Sequence, residues 1–132
     1  MLSSEKIIAF LATSDPSRAL AFYAGKLGLR LIKEERPFAL VFDSDGTMLR
    51  LQIVRERIIP APYTALGWQV WDIEARVRDL ERAGVVFERF ASFMQQDELG
   101  IWAAPSGAKV AWFKDPDGNL LSLTQFSKEA AR

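Results

Sequence analysis

The residues able to do chemistry are few, and the missing ones narrow the choice first. The 132 residues include no histidine and no cysteine. Their absence removes the commonest metal ligand, the usual general base near neutral pH, the thiol nucleophile, thiolate zinc sites and any disulfide. What remains is Arg50, the hydroxyls of Ser122 and Thr124, the amide of Gln69, tryptophans at 68, 71, 102 and 112, and two acidic turns, "DSDG" (43–46) and "DPDG" (115–118). A hydroxyl without an activating base is a weak nucleophile. The set suits binding better than covalent catalysis, and no residue is assigned as catalytic.

Strand alternation sorts these candidates by face. In "MLRLQI" (48–53), Met48, Arg50 and Gln52 share one face, and Leu49, Leu51 and Ile53 share the other. In "LLSLTQF" (120–126), Leu120, Ser122 and Thr124 oppose Leu121 and Leu123. The aliphatic sets should meet helices, leaving the polar sets to line a cavity. Arg50 is either an anchor for an anionic or carbonyl group or the partner of a nearby carboxylate. Ser122 and Thr124 are ligand contacts or hydroxyls satisfied by backbone or water. Gln69, on the predicted face of Ala65 and Trp71, is a cavity hydrogen-bonding group or a solvated one. Trp71 and Trp102 could stack on a planar ligand or pack at a dimer seam, whereas Trp68 and Trp112 are expected in the core. The acidic turns could offer oxygen ligands to calcium, but their sequences are those of tight turns, with glycine at the left-handed position. "KEERP" (33–37) is expected to be a solvated strand end.

The elements that must position these residues come twice. "IIAFLATSDPSRALAFYAGKLG" (7–28) reads as strand, cap and helix, with Asp15 as N-cap, Pro16 at the first helical position, and Gly25 and Gly28 as stops. "LGWQVWDIEARVRDLERAG" (66–84) repeats the order with Asp72 as cap and Gly84 as stop. Each acidic turn then leads into an alternating strand. The caps lie 57 residues apart and the turn glycines, Gly46 and Gly118, 72 apart, so the second half carries extra loop, placed at "ASFMQQDELG" (91–100). "LRLIKEE", "FALVF", "VVFER" and "KVAWF" supply further strands, with "GIWAAP" also extended. Each half reads βαβββ. The expected class is α+β, with the two modules' sheets forming a curved, open-barrel sheet around a cavity and the helices outside. The chain is expected to form a single domain over 1–132: module 1 about 5–55, a connector about 56–64, module 2 about 65–126, and a fraying tail 127–132.

Composition sets outer bounds on partners. Apolar residues make up 49% and charged residues 26%, as in ordinary globular domains, and seventeen basic side chains balance seventeen acidic ones. No field would draw the chain to nucleic acid or an anionic membrane. The N-terminal stretch lacks the pattern of a signal peptide, and the expected location is cytoplasmic.

"DPSRALAFYAGKLGLRL" (15–31) and "AWFKDPDGNLLSLTQF" (111–126) resemble the vicinal oxygen chelate superfamily, which includes glyoxalase I, extradiol dioxygenases, fosfomycin-resistance enzymes and bleomycin-resistance proteins. The resemblance runs from about Lys6 to Phe126 and implies paired βαβββ modules, a cavity in the curved sheet and a homodimer. It also implies, for metal-dependent members, a divalent ion held from the first and last strands of each module. Those positions fall seven residues before each cap, on Ile8 and Ala65, and four past each turn glycine, on Arg50 and Ser122. None is an ordinary metal ligand. The implied relative is the metal-free, bleomycin-resistance-like branch, with no cofactor and a small organic molecule sequestered or sensed. The alternatives are a lyase or dioxygenase of the same superfamily, or a protein-interaction module using exposed tryptophans.

Overall fold

A computed structural model describes residues 1–128; the last four residues of the expected tail lie outside the described part. The chain divides into two compact units, residues 1–60 with 116–118, and residues 61–115 with 119 onward. Both are α+β, and each contains one four-stranded mixed sheet and a helix.

The first unit contains β1 (Ile8–Thr13), α1 (Pro16–Leu20), β2 (Arg30–Glu35), β3 (Ala39–Ser44) and β4 (Thr47–Ile53), with strand order β1-β4-β3-β2. Asp15 caps α1 by accepting a hydrogen bond from Arg18 N at 3.1 Å, and Pro16 occupies the first turn as expected. The helix does not stop at Gly25: a π-helical segment, Ala21–Lys26, carries it on, and the reversal comes at Gly28, whose φ is +74°. Phe22 and Tyr23 on this segment are buried, and the Tyr23 ring lies 5.8 Å from that of Phe42. Leu40, Phe42, Leu49 and Leu51, all at most 2% exposed, complete the core beneath the helix. Each such side chain contributes on the order of 1.5–3 kcal/mol by burial.

The second unit contains β5 (Leu66–Gln69), α2 (Ile73–Arg82), β6 (Trp102–Ala103), β7 (Lys109–Lys114) and β8 (Leu120–Gln125), in the order β5-β8-β7-β6. Asp72 caps α2 through Ala75 N at 3.1 Å, and Gly84, at φ +96°, ends it. Ile73 and Val77 are buried, as are Ala111, Phe113, Leu121 and Leu123 on the same side of the sheet. Trp68 belongs to this core, stacked on Phe113 with centroids 6.4 Å apart.

The units differ at the strand farthest from β1 or β5. In the first, β2 is continuous apart from a bulge between Leu31 and Lys33. In the second, "VVFER" does not form the expected strand. Phe87 makes a single bridge to Phe113, Glu88 N donates to Trp112 O at 2.8 Å, and β6 pairs with the other half of β7. The inserted loop interrupts the strand because its own polar groups hold it closed. Gln96 donates to Glu88 O and Gly100 O and accepts from Phe90 N at 2.7 Å, while Asp97 accepts from Leu99 N and Ile101 N, each at 2.9 Å. Arg89 adds bonds to the carbonyls of Asp97 and Glu98.

Candidate functional site

Each sheet has one face under its helix and one turned away, and the registers place most of the candidates on the faces turned away. In the first unit, Arg50 of β4 is flanked by Phe10 of β1 and Val41 of β3, with Ile8, Met48 and Gln52 on the same side. Ile8, Phe10 and Met48 are 46%, 52% and 38% exposed, an apolar surround for a cation. Arg50 has a carboxylate partner: its Nη2 donates to Glu35 Oε1 at 2.7 Å. Lys33 Nζ lies 2.8 Å from the other Glu35 oxygen. The bond from Lys33, followed by that from Arg50, holds the Glu35 carboxyl below the ordinary glutamate range. "KEERP" is therefore not simply a solvated strand end; Lys33 and Glu35 face Arg50 across β3.

In the second unit, Gly67 and Trp112 flank Ser122, and Gln69 and Val110 flank Thr124, so Ser122, Thr124 and Gln69 share a face. Trp102 pairs with Val110 and joins them. Trp71 does not: β5 ends at Gln69, and Trp71 lies beyond it, 69% exposed. Trp112 was expected in the core but lies on the face of Ser122. Its ring is 6.1 Å from Trp102 and 5.5 Å from Phe90, and its indole N–H donates to Thr64 Oγ1 at 3.0 Å. The signal was present in "KVAWFK", where Ala111 and Phe113 alternate with Val110 and Trp112. Pairing this strand with β8 across the "DPDG" turn puts Trp112 opposite Ser122.

The four positions implied for a metal are equivalent in pairs. Ile8 lies two residues before Phe10, the neighbour of Arg50, and Ala65 lies two before Gly67, the neighbour of Ser122. The donor set does not fit a divalent ion. Two of these side chains are hydrocarbon, one is a hydroxyl and one is a permanent cation held by its own carboxylate. Among the described residues no group of three or more histidine, cysteine, aspartate or glutamate side chains is placed to hold a metal. The acidic turns are engaged locally. Asp43 Oδ2 accepts from Gly46 N, the two Asp115 oxygens accept from Asn119 N and Nδ2 at 2.9 Å, and Asp117 Oδ1 accepts from Ser14 N and Oγ at 2.9 and 2.8 Å.

The superfamily model "Glyoxalase/Bleomycin resistance protein/Dioxygenase superfamily" matches residues 7–123. The glyoxalase family protein of Enterococcus faecalis superposes with a TM-score of 0.72 at 23% identity, covering 94% of this chain and 99% of that one. A glyoxalase/bleomycin resistance protein/dioxygenase from Alicyclobacillus acidocaldarius gives 0.70 at 18%, covering 96% and 94%. Lactoylglutathione lyase from Agrobacterium tumefaciens gives 0.68 at 18%, covering 92% and 93%. No curated protein matches the chain. No helix among the described residues is long and apolar enough to cross a membrane. The chain belongs to the glyoxalase/bleomycin resistance protein/dioxygenase superfamily.

Proposed function

With that membership as premise, we propose that this protein binds a small organic molecule without a metal ion and sequesters or senses it rather than converting it. The observation that carries the reading is the content of the four implied ligand positions: Ile8, Arg50, Ala65 and Ser122 supply no carboxylate and no imidazole. The faces that hold them offer binding groups instead. One carries the Arg50–Glu35 pair among exposed apolar side chains, and the other a row of hydroxyl and amide groups beside an aromatic wall. Arg50 has further N–H groups for a carbonyl or anionic oxygen beyond the one given to Glu35, and the pairing fixes its direction. Trp102 serves as aromatic wall, and Ser122, Thr124 and Gln69 as polar contacts. Trp71, beyond the strand, is the weakest member of the set. The working form is a homodimer in the cytoplasm.

The test is loading and turnover. Purified protein incubated separately with zinc, nickel, manganese and ferrous iron is assayed on the hemithioacetal of methylglyoxal and a thiol, and on catechol. The expected result is no turnover and no stoichiometric retention of metal after gel filtration. Retention of one metal per site with turnover, both lost on mutating a single carboxylate, would establish the lyase or dioxygenase reading in its place.

A further inference from the structure

Gly67 lies inside β5 with no left-handed φ, so backbone freedom does not account for a glycine there. Space does. A Cβ at this position would lie 2.6 Å from Ser122 Oγ and 3.4 Å from Ser122 O. Glycine within a strand weakens it and commonly marks a close approach by a ligand or another backbone. Beneath the notch, Ser122 is 6% exposed. Its Oγ is not one of the fully buried side-chain atoms left without a partner, so it keeps some contact with solvent. The hydroxyl and the position without a side chain beside it form one feature, a polar group that a Cβ at residue 67 would crowd.

Its surroundings indicate what would enter. Trp112 flanks Ser122 on the other side, and its indole begins the aromatic wall that continues to Trp102 and Phe90. Thr124 lies two residues along β8, about 7 Å away at the rise of a strand, with Gln69 beside it. An aromatic flank parallel to a line of neutral hydrogen-bonding groups matches a flat ring system with polar atoms along one edge. Alternation of charge plays no part in this line.

Building on the binding function proposed above, we propose that the notch over Gly67 and Ser122 is a subsite for a flat aromatic molecule bearing an edge hydroxyl or carbonyl. The ring lies against Trp112, and the oxygen enters the notch to exchange a hydrogen bond with Ser122 Oγ. The class is one of neutral oxygenated aromatics, and Gly67 is what gives the oxygen room to enter.

The test compares 2-naphthol with 2-methylnaphthalene, probes of nearly equal shape of which only one can hydrogen-bond, by equilibrium dialysis against the full chain. The wild type is expected to prefer 2-naphthol roughly two- to tenfold, the range of one neutral hydrogen bond. Ser122→Ala should abolish the preference while still binding both probes. Gly67→Ala would crowd the hydroxyl and could impair folding, so the double variant Gly67→Ala/Ser122→Ala is added. Its new Cβ meets Ser122 Cβ at an ordinary 3.9 Å, and it should weaken both probes. Trp112→Leu should weaken both probes equally without removing the preference. Equal binding of the two probes to wild type, or a preference that survives Ser122→Ala, would overturn the subsite and leave the binding function standing. Binding of neither probe would also overturn it. The binding function itself would fall only if the same preparation retained a metal and turned over a substrate.

Discussion

The two faces turned away from the helices have the same register and opposite chemistry. Phe10 beside Arg50 in the first unit corresponds to Gly67 beside Ser122 in the second. One position pairs a bulky ring with a cation whose carboxylate partner comes from β2. The other pairs a missing side chain with a buried serine, and the far edge of its sheet is broken by a loop. The repeated scaffold conserves where side chains point, not what they do. At these equivalent positions one unit presents a cation and its carboxylate, and the other a hydroxyl beside a tryptophan.

The sharpest way to break this contrast uses adjacent residues of β7. Phe113→Ala removes a ring with no exposure from the core and should destabilise the protein by about 3–5 kcal/mol in urea unfolding. Trp112→Ala, on the opposite face, should cost less than half as much. Equal losses would place Trp112 in the core after all. For the charged face, Arg50→Ala should weaken binding of an anionic or carbonyl-rich ligand by about 1.5–3 kcal/mol in isothermal titration, the range for hydrogen bonds to a charged group. An unchanged affinity would reduce Arg50 to a structural partner of Glu35.

The helix caps should behave alike where the faces do not. Asp15→Ala and Asp72→Ala each remove one side-chain bond to a helix N–H and should each cost about 1 kcal/mol. A much larger loss at one cap would show that the units do not use the repeat equally. The smallest effect concerns pH. Because the folded Glu35 carboxyl titrates below its ordinary value, its contribution to stability is present above the unfolded glutamate pKa, near 4.3, and is lost as pH falls through the folded value. Glu35→Gln should flatten that acid limb slightly in thermal melts between pH 5 and pH 3, estimated from the same reference values, with little change at pH 7. An unchanged acid limb would mean that Lys33 and Arg50 do not favour the charged form.

What could be read from the sequence was local. Asp15, Pro16, Asp72, Gly28 and Gly84 mark helix ends by their own chemistry, and alternation sorted Arg50, Ser122 and Thr124 to the right side of their strands. What escaped was set by distance along the chain. Glu35 meets Arg50 only because β3 lies between β2 and β4, which no short motif reveals. The apolar run around Trp112 suggested a core residue, and only its pairing with Ser122 assigns it a face. "VVFER" has strand composition, yet Gln96 and Asp97 fold the following loop so that only Phe87 bridges to β7. Gly25 looked like a helix stop, but the segment continues through it because Phe22 and Tyr23 are drawn onto the core.

Native mass spectrometry of untagged protein tests most directly the proposal that a small organic molecule binds without a metal. The expected result is a dimer carrying no metal and an added mass of a small organic molecule that departs on activation. A dimer with one metal ion per site, retained in place of any organic mass, would contradict it.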